Sequence, residues 1–316
     1  MKPVMAKPTP RPTAKTAPTA KAPQLVVDPR WLLKMLGISL TAALICGYLT
    51  LGLLFYLSSW QLVLHPTRNS GGGTALPTQR VQFDVDATGK PRLSGEWYPA
   101  EAGAPRARYA VLYLRGGDGQ LDPADGTQIA TLHGLGLNVF AFDYTGYGES
   151  VQQPHPGEKQ MLSDAIAANA FVARTYNFRE PGQILVFGSG IGVSIAAELL
   201  QQTPADGGLI GYNADPEVFT RVKADRRSKL LPLILFHDRF SLDVLQHLKK
   251  PKLLYTVGPL DAARTAAYRS AADPKLTVEV PTHDAEAERT AIARFLDENF
   301  PATASSLPSV QPQPAK

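Results

Sequence analysis

The stretch ILVFGSGIGVSIAAEL, residues 184–199, decides the fold of this chain. An apolar run typical of a buried β-strand leads into three alternating glycines and then into an apolar helical pattern. Gly188, Gly190 and Gly192 suit a sharp turn, because glycine adopts positive backbone φ angles at little cost. The stretch therefore predicts a strand, a tight elbow and a helix, which is a building unit of parallel α/β sheets.

Similar patterns recur on both sides of this elbow, from residue 81 onward. The predicted strands are 81–85, 93–98, 109–114, 137–142, 183–187, 208–212, 252–257 and 276–280. Helical patterns occupy 158–176, 191–202, 262–272 and 285–299. The first two strands are expected to be antiparallel, and the near-continuous apolar composition of the later ones is typical of strands buried on both faces of a parallel sheet. The alternation predicts a mostly parallel sheet with helices on both faces, a three-layer α/β fold.

Four motifs appear along this region in a fixed order. They are LYLRGGDG (112–119), FDYTGYGES (142–150), the elbow at 184–199, and the pair TVGPLD (256–261) and VPTHD (280–284). Together they resemble the α/β-hydrolase family, in particular its small membrane-anchored members with a minimal cap, over residues 81–300. The resemblance implies the α/β-hydrolase fold and a site that combines a nucleophile, an acid, a histidine and two backbone N–H groups for an oxyanion.

The elbow lacks the hydroxyl group that the resemblance implies. Aligning G-x-S-x-G with the sequence GSGIG places Gly190 in the nucleophile position. Ser189 is the alternative nucleophile, but that frame puts Phe187 and Ile191 where the turn needs glycine. Ser194 lies one helical turn further on, where a small residue is typical of helix packing. We therefore predict that the nucleophile position is vacant.

The acid and the histidine of the family are matched by position. Asp261 follows a strand at the G-x-x-D spacing, and His283 follows the next strand. The resemblance implies that these two residues are the acid and the histidine of a retained, vestigial site. The structural alternatives are a turn or helix-capping role for Asp261 and a surface-loop role for His283.

The oxyanion loop departs from the family in one place. Arg115 stands where the family usually has histidine, before Gly116 and Gly117. Together with the N–H of Ile191 at a helix N-terminus, these residues predict a residual crevice for a carboxylate or phosphate group. The alternative is that Arg115 forms a structural ion pair with Asp118 or Asp143.

Residues 35–57, MLGISLTAALICGYLTLGLLFYL, carry no charge. These roughly 23 residues reach about 35 Å as a helix, enough to cross a hydrocarbon layer of about 30 Å. We predict a transmembrane helix that serves as a signal-anchor, with Trp31 and Trp60 at its interfaces. Seven basic residues precede the run, namely Lys2, Lys7, Arg11, Lys15, Lys21, Arg30 and Lys34. This excess predicts a cytoplasmic N-terminus and an extracytoplasmic domain, periplasmic in a Gram-negative cell.

The whole chain divides into five predicted segments. They are a disordered basic Pro/Thr/Ala-rich tail (1–30), the transmembrane helix (31–60), a linker (61–80), the α/β domain (81–300) and a second disordered tail (301–316). The segment 214–231, where a cap would lie, is short and rich in basic residues.

Composition excludes several classes of function. The net charge of +4 reflects the basic tail, so no nucleic-acid partner is expected. The single cysteine, Cys46, excludes an intramolecular disulfide and a multi-cysteine metal site. Val193 occupies the last glycine position of G-x-G-x-x-G, which argues against dinucleotide binding. We expect neither a cofactor nor a metal.

The sequence favours a membrane-anchored binding protein without serine-nucleophile catalysis, a pseudoenzyme whose ligand carries an acyl, carboxylate or phosphate group. The alternative is an active acyl hydrolase, an esterase, thioesterase or peptidase that uses Ser189 with Asp261 and His283. A third class, an enzyme that uses His283 and Asp261 without covalent catalysis, has no positive sign in the sequence.

Overall fold

The structure of the chain is a computed structural model. It describes residues 28–66, 74–116, 123–152, 156–226, 229, 231, 235–282 and 284–302. The chain divides into two compact units, Met1–Thr50 and Leu51–Lys316. The predicted tails, apart from residues 28–30, 301 and 302, lie outside the described residues.

The larger unit is built on one eight-stranded sheet. Its strands are β1 (Gln79–Val85), β2 (Pro91–Tyr98), β3 (Ala110–Leu114), β4 (Asn138–Asp143), β5 (Ile184–Ser189), β6 (Leu209–Tyr212), β7 (Lys252–Val257) and β8 (Lys275–Val280). Their order across the sheet is β1-β2-β4-β3-β5-β6-β7-β8. The β1–β2 and β2–β4 pairs are antiparallel, and all the other pairs are parallel. The mostly parallel sheet predicted from the sequence is confirmed.

Seven α-helices lie within the described residues. They are α1 (Pro29–Ser58), α2 (Pro123–Gly134), α3 (Glu158–Thr175), α4 (Gly192–Gln202), α5 (Val218–Ala224), α6 (Ala262–Ser270) and α7 (Ala285–Asn299). Two 3₁₀-helices follow α1 and α5, at Ser59–Leu62 and Leu242–Gln246. The helices α2 and α5 were not predicted from the sequence.

Alternate side chains of the central strands pack into two separate cores. On β3, Leu112 joins the core that contains residues of α3, α4 and α6, whereas Val111 and Tyr113 join the core that contains residues of α2 and α7. A strand that is apolar on both faces requires such cover on both sides. The three-layer α/β architecture is therefore confirmed.

One helix among the described residues, Pro29–Leu62, is long and apolar enough by length and composition to span a membrane. Its last turns belong to the larger unit. Phe55, Val63 and Leu64 are buried in the core on the α3 and α4 side of the sheet. Val63 and Leu64 lie in the segment predicted as a linker, yet both are buried, because this apolar pair follows the helix directly and packs into the sheet core.

The sheet positions the site through its strand order. Because β3 lies between β4 and β5, the chain passes from β3 to β4 on one side and from β4 across to β5 on the other side of β3. A crevice opens at the carboxyl ends of such strands, where ligands of open α/β sheets bind. The described residues of the motifs singled out in the sequence lie at or after the carboxyl ends of β3, β4, β5, β7 and β8.

Candidate functional site

The elbow between β5 and α4 holds a glycine at its tip. Strand β5 ends at Ser189, Gly190 has a φ of +57°, and α4 begins at Gly192. The N–H of Gly190 donates to the carbonyl of Tyr212, at 3.0 Å, which ties the elbow to β6. A positive φ is strained for a residue with a side chain and costs glycine little. Gly190 thus occupies the strained position of the elbow.

The two flanking glycines are required by close packing. A Cβ on Gly188 would lie 2.7 Å from the carbonyl oxygen of Gly192, and a Cβ on Gly192 would lie 2.4 Å from that of Leu114. Among the described residues, a Cβ on Gly190 would meet only the Cα of Gly116, at 3.9 Å. This pattern of crowded, open and crowded positions is what G-x-S-x-G demands, with the open position at the nucleophile.

The nearby serines lie elsewhere in the local structure. Ser189 belongs to β5 and is paired in register with Tyr212 of β6. Ser194 is fully buried in α4, and its hydroxyl donates to the carbonyl of Ile191 at 2.8 Å. Neither serine has a positive φ.

Backbone groups that could face a ligand surround Gly190. Ile191 is the N-cap residue of α4, at a helix start where the N–H groups of Val193 and Ser194 donate to the carbonyls of Gly190 and Ile191, at 3.3 and 3.2 Å, and those of Ile191 and Gly192 have no acceptor one turn back. Gly116 lies beside the elbow, since a Cβ on it would be 3.4 Å from the carbonyl oxygen of Ser189. Gly117, the other predicted oxyanion residue, lies outside the described residues.

Arg115 is buried beside this crevice and forms an ion pair with Asp143. The Asp143 carboxylate also accepts the N–H of Glu149, at 3.1 Å. The Arg115 guanidinium stands over the ring of Tyr147, with Cζ 5.9 Å from the centroid. Of the two ion pairs proposed as the structural alternative, the one with Asp143 is present, and Asp118 lies outside the described residues.

Three buried donors near this ion pair lack acceptors. Nε and Nη1 of Arg115 and the hydroxyl of Tyr144 have no hydrogen-bond partner within the described parts of the chain. Burial raises the pKa of the Tyr144 hydroxyl, so that it stays protonated as a donor. A buried donor without an acceptor costs about 1–3 kcal/mol. An acceptor at this place would therefore stabilise the protein.

Asp261 caps α6. Its Oδ1 accepts the N–H of Arg264 at 2.7 Å, and its Oδ2 lies 2.9 Å from Nη1 of the same residue. Arg264 is held in place by donation from its Nε to the carbonyl of Ala214, at 2.9 Å. The capping alternative for Asp261 is thus present in the structure. His283 lies outside the described residues.

Asp164, a supporting residue that the sequence did not single out, fixes the turn after β4. It is fully buried in α3 and accepts the N–H of Thr145 at 2.8 Å. Its carboxylate also lies 3.1 Å from Nη1 of Arg92. Burial raises the pKa of Asp164, whereas these partners oppose that shift. The signal in the sequence was an acid on the apolar face of a helix, beside Met161 and Ala165.

No group of three histidine, cysteine or acidic side chains suited to a metal ion is found among the described residues.

The sheet order and the glycine elbow define an α/β-hydrolase fold. Solved structures share it: the Pyrococcus furiosus esterase Pf2001 has a TM-score of 0.59 at 18% identity, covering 75% of this chain and 98% of that one. The hypothetical protein PA2218 from Pseudomonas aeruginosa has a TM-score of 0.56 at 18% identity, covering 75% and 99%. At such identities the likeness shows the fold alone.

Sequence relatives confirm the predicted resemblance to the α/β-hydrolase family, although no family model matches the chain. The chain is 29% identical over 96 residues to human alpha/beta hydrolase domain-containing protein 17B, covering 30% of this chain and 32% of that protein. It is 26% identical over 160 residues to the lysophosphatidylserine lipase ABHD12 of Danio rerio, covering 48% and 39%.

A third relative has no function in its name. The uncharacterized protein Rv2307c of Mycobacterium tuberculosis is 34% identical over 113 residues, covering 36% of this chain and 38% of that protein. The matches thus span between about a third and two-fifths of the length of these curated relatives.

Proposed function

We propose that this protein is a membrane-anchored binding protein with the α/β-hydrolase fold and without serine-nucleophile catalysis. The observation that supports this proposal is Gly190, which has a φ of +57° between two glycines that cannot carry side chains. In this frame a hydrogen atom stands in place of the whole hydroxymethyl side chain of a serine nucleophile, so no acyl-enzyme bond can form there.

The groups around Gly190 favour a small ligand with acceptor oxygens. One edge of the sheet holds the space above Gly190, the start of α4 at Ile191, and the Nε and Nη1 donors of Arg115, which have no partner among the described residues. A carboxylate, a phosphate or the carbonyl of an acyl group supplies the acceptors that these donors lack. The ligand class that we propose is therefore an acyl, carboxylate or phosphate compound.

The second candidate function is acyl hydrolysis by Ser189 with Asp261 and His283. The similarity to the lysophosphatidylserine lipase ABHD12 favours it. Against it stand the strand pairing of Ser189 with Tyr212 and the engagement of both Asp261 oxygens by Arg264.

Anchoring by α1 is the membrane part of the proposal. The helix is apolar and long enough to span a bilayer, and seven basic residues lie before or near its start. An excess of basic residues favours the cytoplasmic side, so we place the N-terminus in the cytoplasm and the α/β domain outside.

A fluorophosphonate probe tests the missing nucleophile in the full chain held in detergent. We expect no labelling of the wild type, of Ser189→Ala or of Gly190→Ala, the matched control for the backbone cost at a positive φ. Labelling of Gly190→Ser would show that only the hydroxyl is missing. Labelling of the wild type that Ser189→Ala abolishes would overturn the proposal in favour of acyl hydrolysis.

Calorimetric titration tests binding at the same site. Octanoate and octyl phosphate are expected to bind to the wild type, whereas octanol, which has the same chain and no anionic head, is expected not to bind. Gly190→Leu fills the space above the elbow and is expected to abolish binding, while Gly190→Ala retains it. Absence of binding of both anions to the wild type at millimolar concentration would refute the anion-binding part.

A further inference from the structure

One face of the last turns of α1 packs against the α/β domain. Gly52, Phe55 and Ser59 are spaced by three and four residues and so share one side of the helix. Phe55 and Ser59 are buried, and a Cβ on Gly52 would lie 3.6 Å from Cδ1 of Leu235. This side of the helix end is covered by protein.

The same turns expose large apolar side chains on the other side. Leu53 and Leu54 are 58% and 57% exposed, and Leu57 is 45% exposed. These residues lie at the same height along the helix axis as Phe55, because one turn advances only about 5.4 Å. A contiguous apolar face of this kind marks a contact with lipid or protein.

The part of the domain that lies against these turns is residues 235–239. The ring of His237 lies 5.1 Å from that of Tyr56, centroid to centroid. Leu235 is half-buried, and His237 and Arg239 are exposed. The exposed leucines therefore lie on the same helical turn as the residue that contacts His237.

We propose that this face of the α/β domain, formed by residues 53–57 and 235–239, contacts the surface of a bilayer that contains anionic lipids. The inference rests on the proposed anchoring by α1. It goes beyond the anchor, because it assigns a second lipid contact to the α/β domain itself and places its His237 edge at the headgroups.

Two observations favour a bilayer over a second copy of the chain. The exposed leucines belong to the uncharged run of residues 35–57, which has no break before them. As a helix this run is about 35 Å long, roughly one turn longer than a hydrocarbon layer of about 30 Å. The sequence before residue 235 is basic, with Arg221, Lys223, Arg226, Arg227 and Lys229. Basic residues near a membrane surface attract anionic headgroups.

Fluorescence quenching in vesicles tests this contact on the full chain. The only cysteine is first removed by Cys46→Ser, and single cysteines for a bimane label are introduced by Leu57→Cys, His237→Cys and Glu298→Cys. The vesicles contain phosphatidylcholine and phosphatidylglycerol with a spin label near the headgroup. Glu298 is the control, because it is exposed on α7, which packs on the opposite face of the sheet from Phe55.

We expect the labels at residues 57 and 237 to be quenched to a similar extent and the label at residue 298 to keep its fluorescence. We also expect quenching at residue 237 to weaken when phosphatidylglycerol is left out. Quenching at residue 57 without quenching at residue 237 would overturn the domain contact and leave the anchor intact. A label at residue 57 that is shielded from lipid would instead assign the face to a second copy and overturn both proposals.

Discussion

Alanine substitutions at two neighbouring glycines test the geometry of the elbow. We expect Gly190→Ala to be tolerated and Gly192→Ala to be severely destabilising, although the residues are two positions apart. At Gly190 the added methyl group meets, within the described parts of the chain, only the Cα of Gly116, at 3.9 Å, so the expected cost is that of the positive φ. An L-residue in this region costs about 1–2 kcal/mol.

At Gly192 the cost comes from overlap instead of backbone strain. The added Cβ would lie 2.4 Å from the carbonyl oxygen of Leu114 and 2.6 Å from that of Arg115. Both atoms belong to backbone, so relief requires α4 to move away from the end of β3. Overpacking of this kind costs about 3 kcal/mol or more.

Thermal unfolding of the full chain in detergent measures both costs. For a domain of this size, 1 kcal/mol corresponds to a shift in Tm of about 2–4 °C. We therefore expect losses of about 2–8 °C for Gly190→Ala and at least about 6–12 °C for Gly192→Ala. Equal losses in the two variants would refute the assignment of Gly190 to the open position of the elbow.

Three further perturbations test the supporting structure. Asp164→Ala is expected to cost about 1–3 kcal/mol in urea unfolding, because it leaves the buried N–H of Thr145 without its acceptor while Arg92 keeps its ion pair with Asp84, and Asp164→Asn should recover part of this loss. Asp261→Ala should cost about 1 kcal/mol through the lost cap of α6, whereas Asp261→Ser should be nearly neutral; equal losses would contradict a capping role. Burial raises the pKa of Tyr144 and Tyr255, so the unfolded chain loses these protons above about pH 10 while the folded chain keeps them. The contribution of these tyrosines to stability should hold below about pH 10 and fall above it by about 1.4 kcal/mol per pH unit for each tyrosine. Burial lowers the pKa of Lys252 to about 8, which raises stability between about pH 8 and pH 10, so the decline is measured between about pH 10.5 and pH 11.5, where a flat profile would contradict it.

The central strands could be predicted from the sequence because they are almost continuously apolar. The predicted strand at 252–257 has the same bounds as β7. The strand predicted at 183–187 corresponds to β5, which begins one residue later and ends two residues later, at Ser189. The helix α2 was missed because its sequence, PADGTQIATLHG, mixes glycine and polar residues with few apolar ones. The helix α5 was missed because seven residues are too short for a periodic pattern.

Two features of the structure could not be predicted from the sequence, for a different physical reason. An apolar run looks the same whether lipid or protein covers it, so the burial of Phe55 in the domain was not readable from residues 35–57. Likewise, the sequence offered two acids as partners for Arg115, and only the placement of β4 beside β3 brings Asp143 to it. Pairing across strands depends on sheet order, which local patterns do not carry.

The loss of a nucleophile need not remove the binding site around it. The start of α4 is fixed by the approach of Gly192 to the end of β3, at a distance that leaves no room for a Cβ. The crowded position of Gly188 fixes the end of β5 in the same way. Neither constraint involves a hydroxyl at residue 190, and glycine relieves the strain that serine would bear at a φ of +57°. The N-terminus of α4 at Ile191 therefore keeps its position beside the crevice without the hydroxyl. Selection for binding alone would preserve the elbow with glycine at its tip.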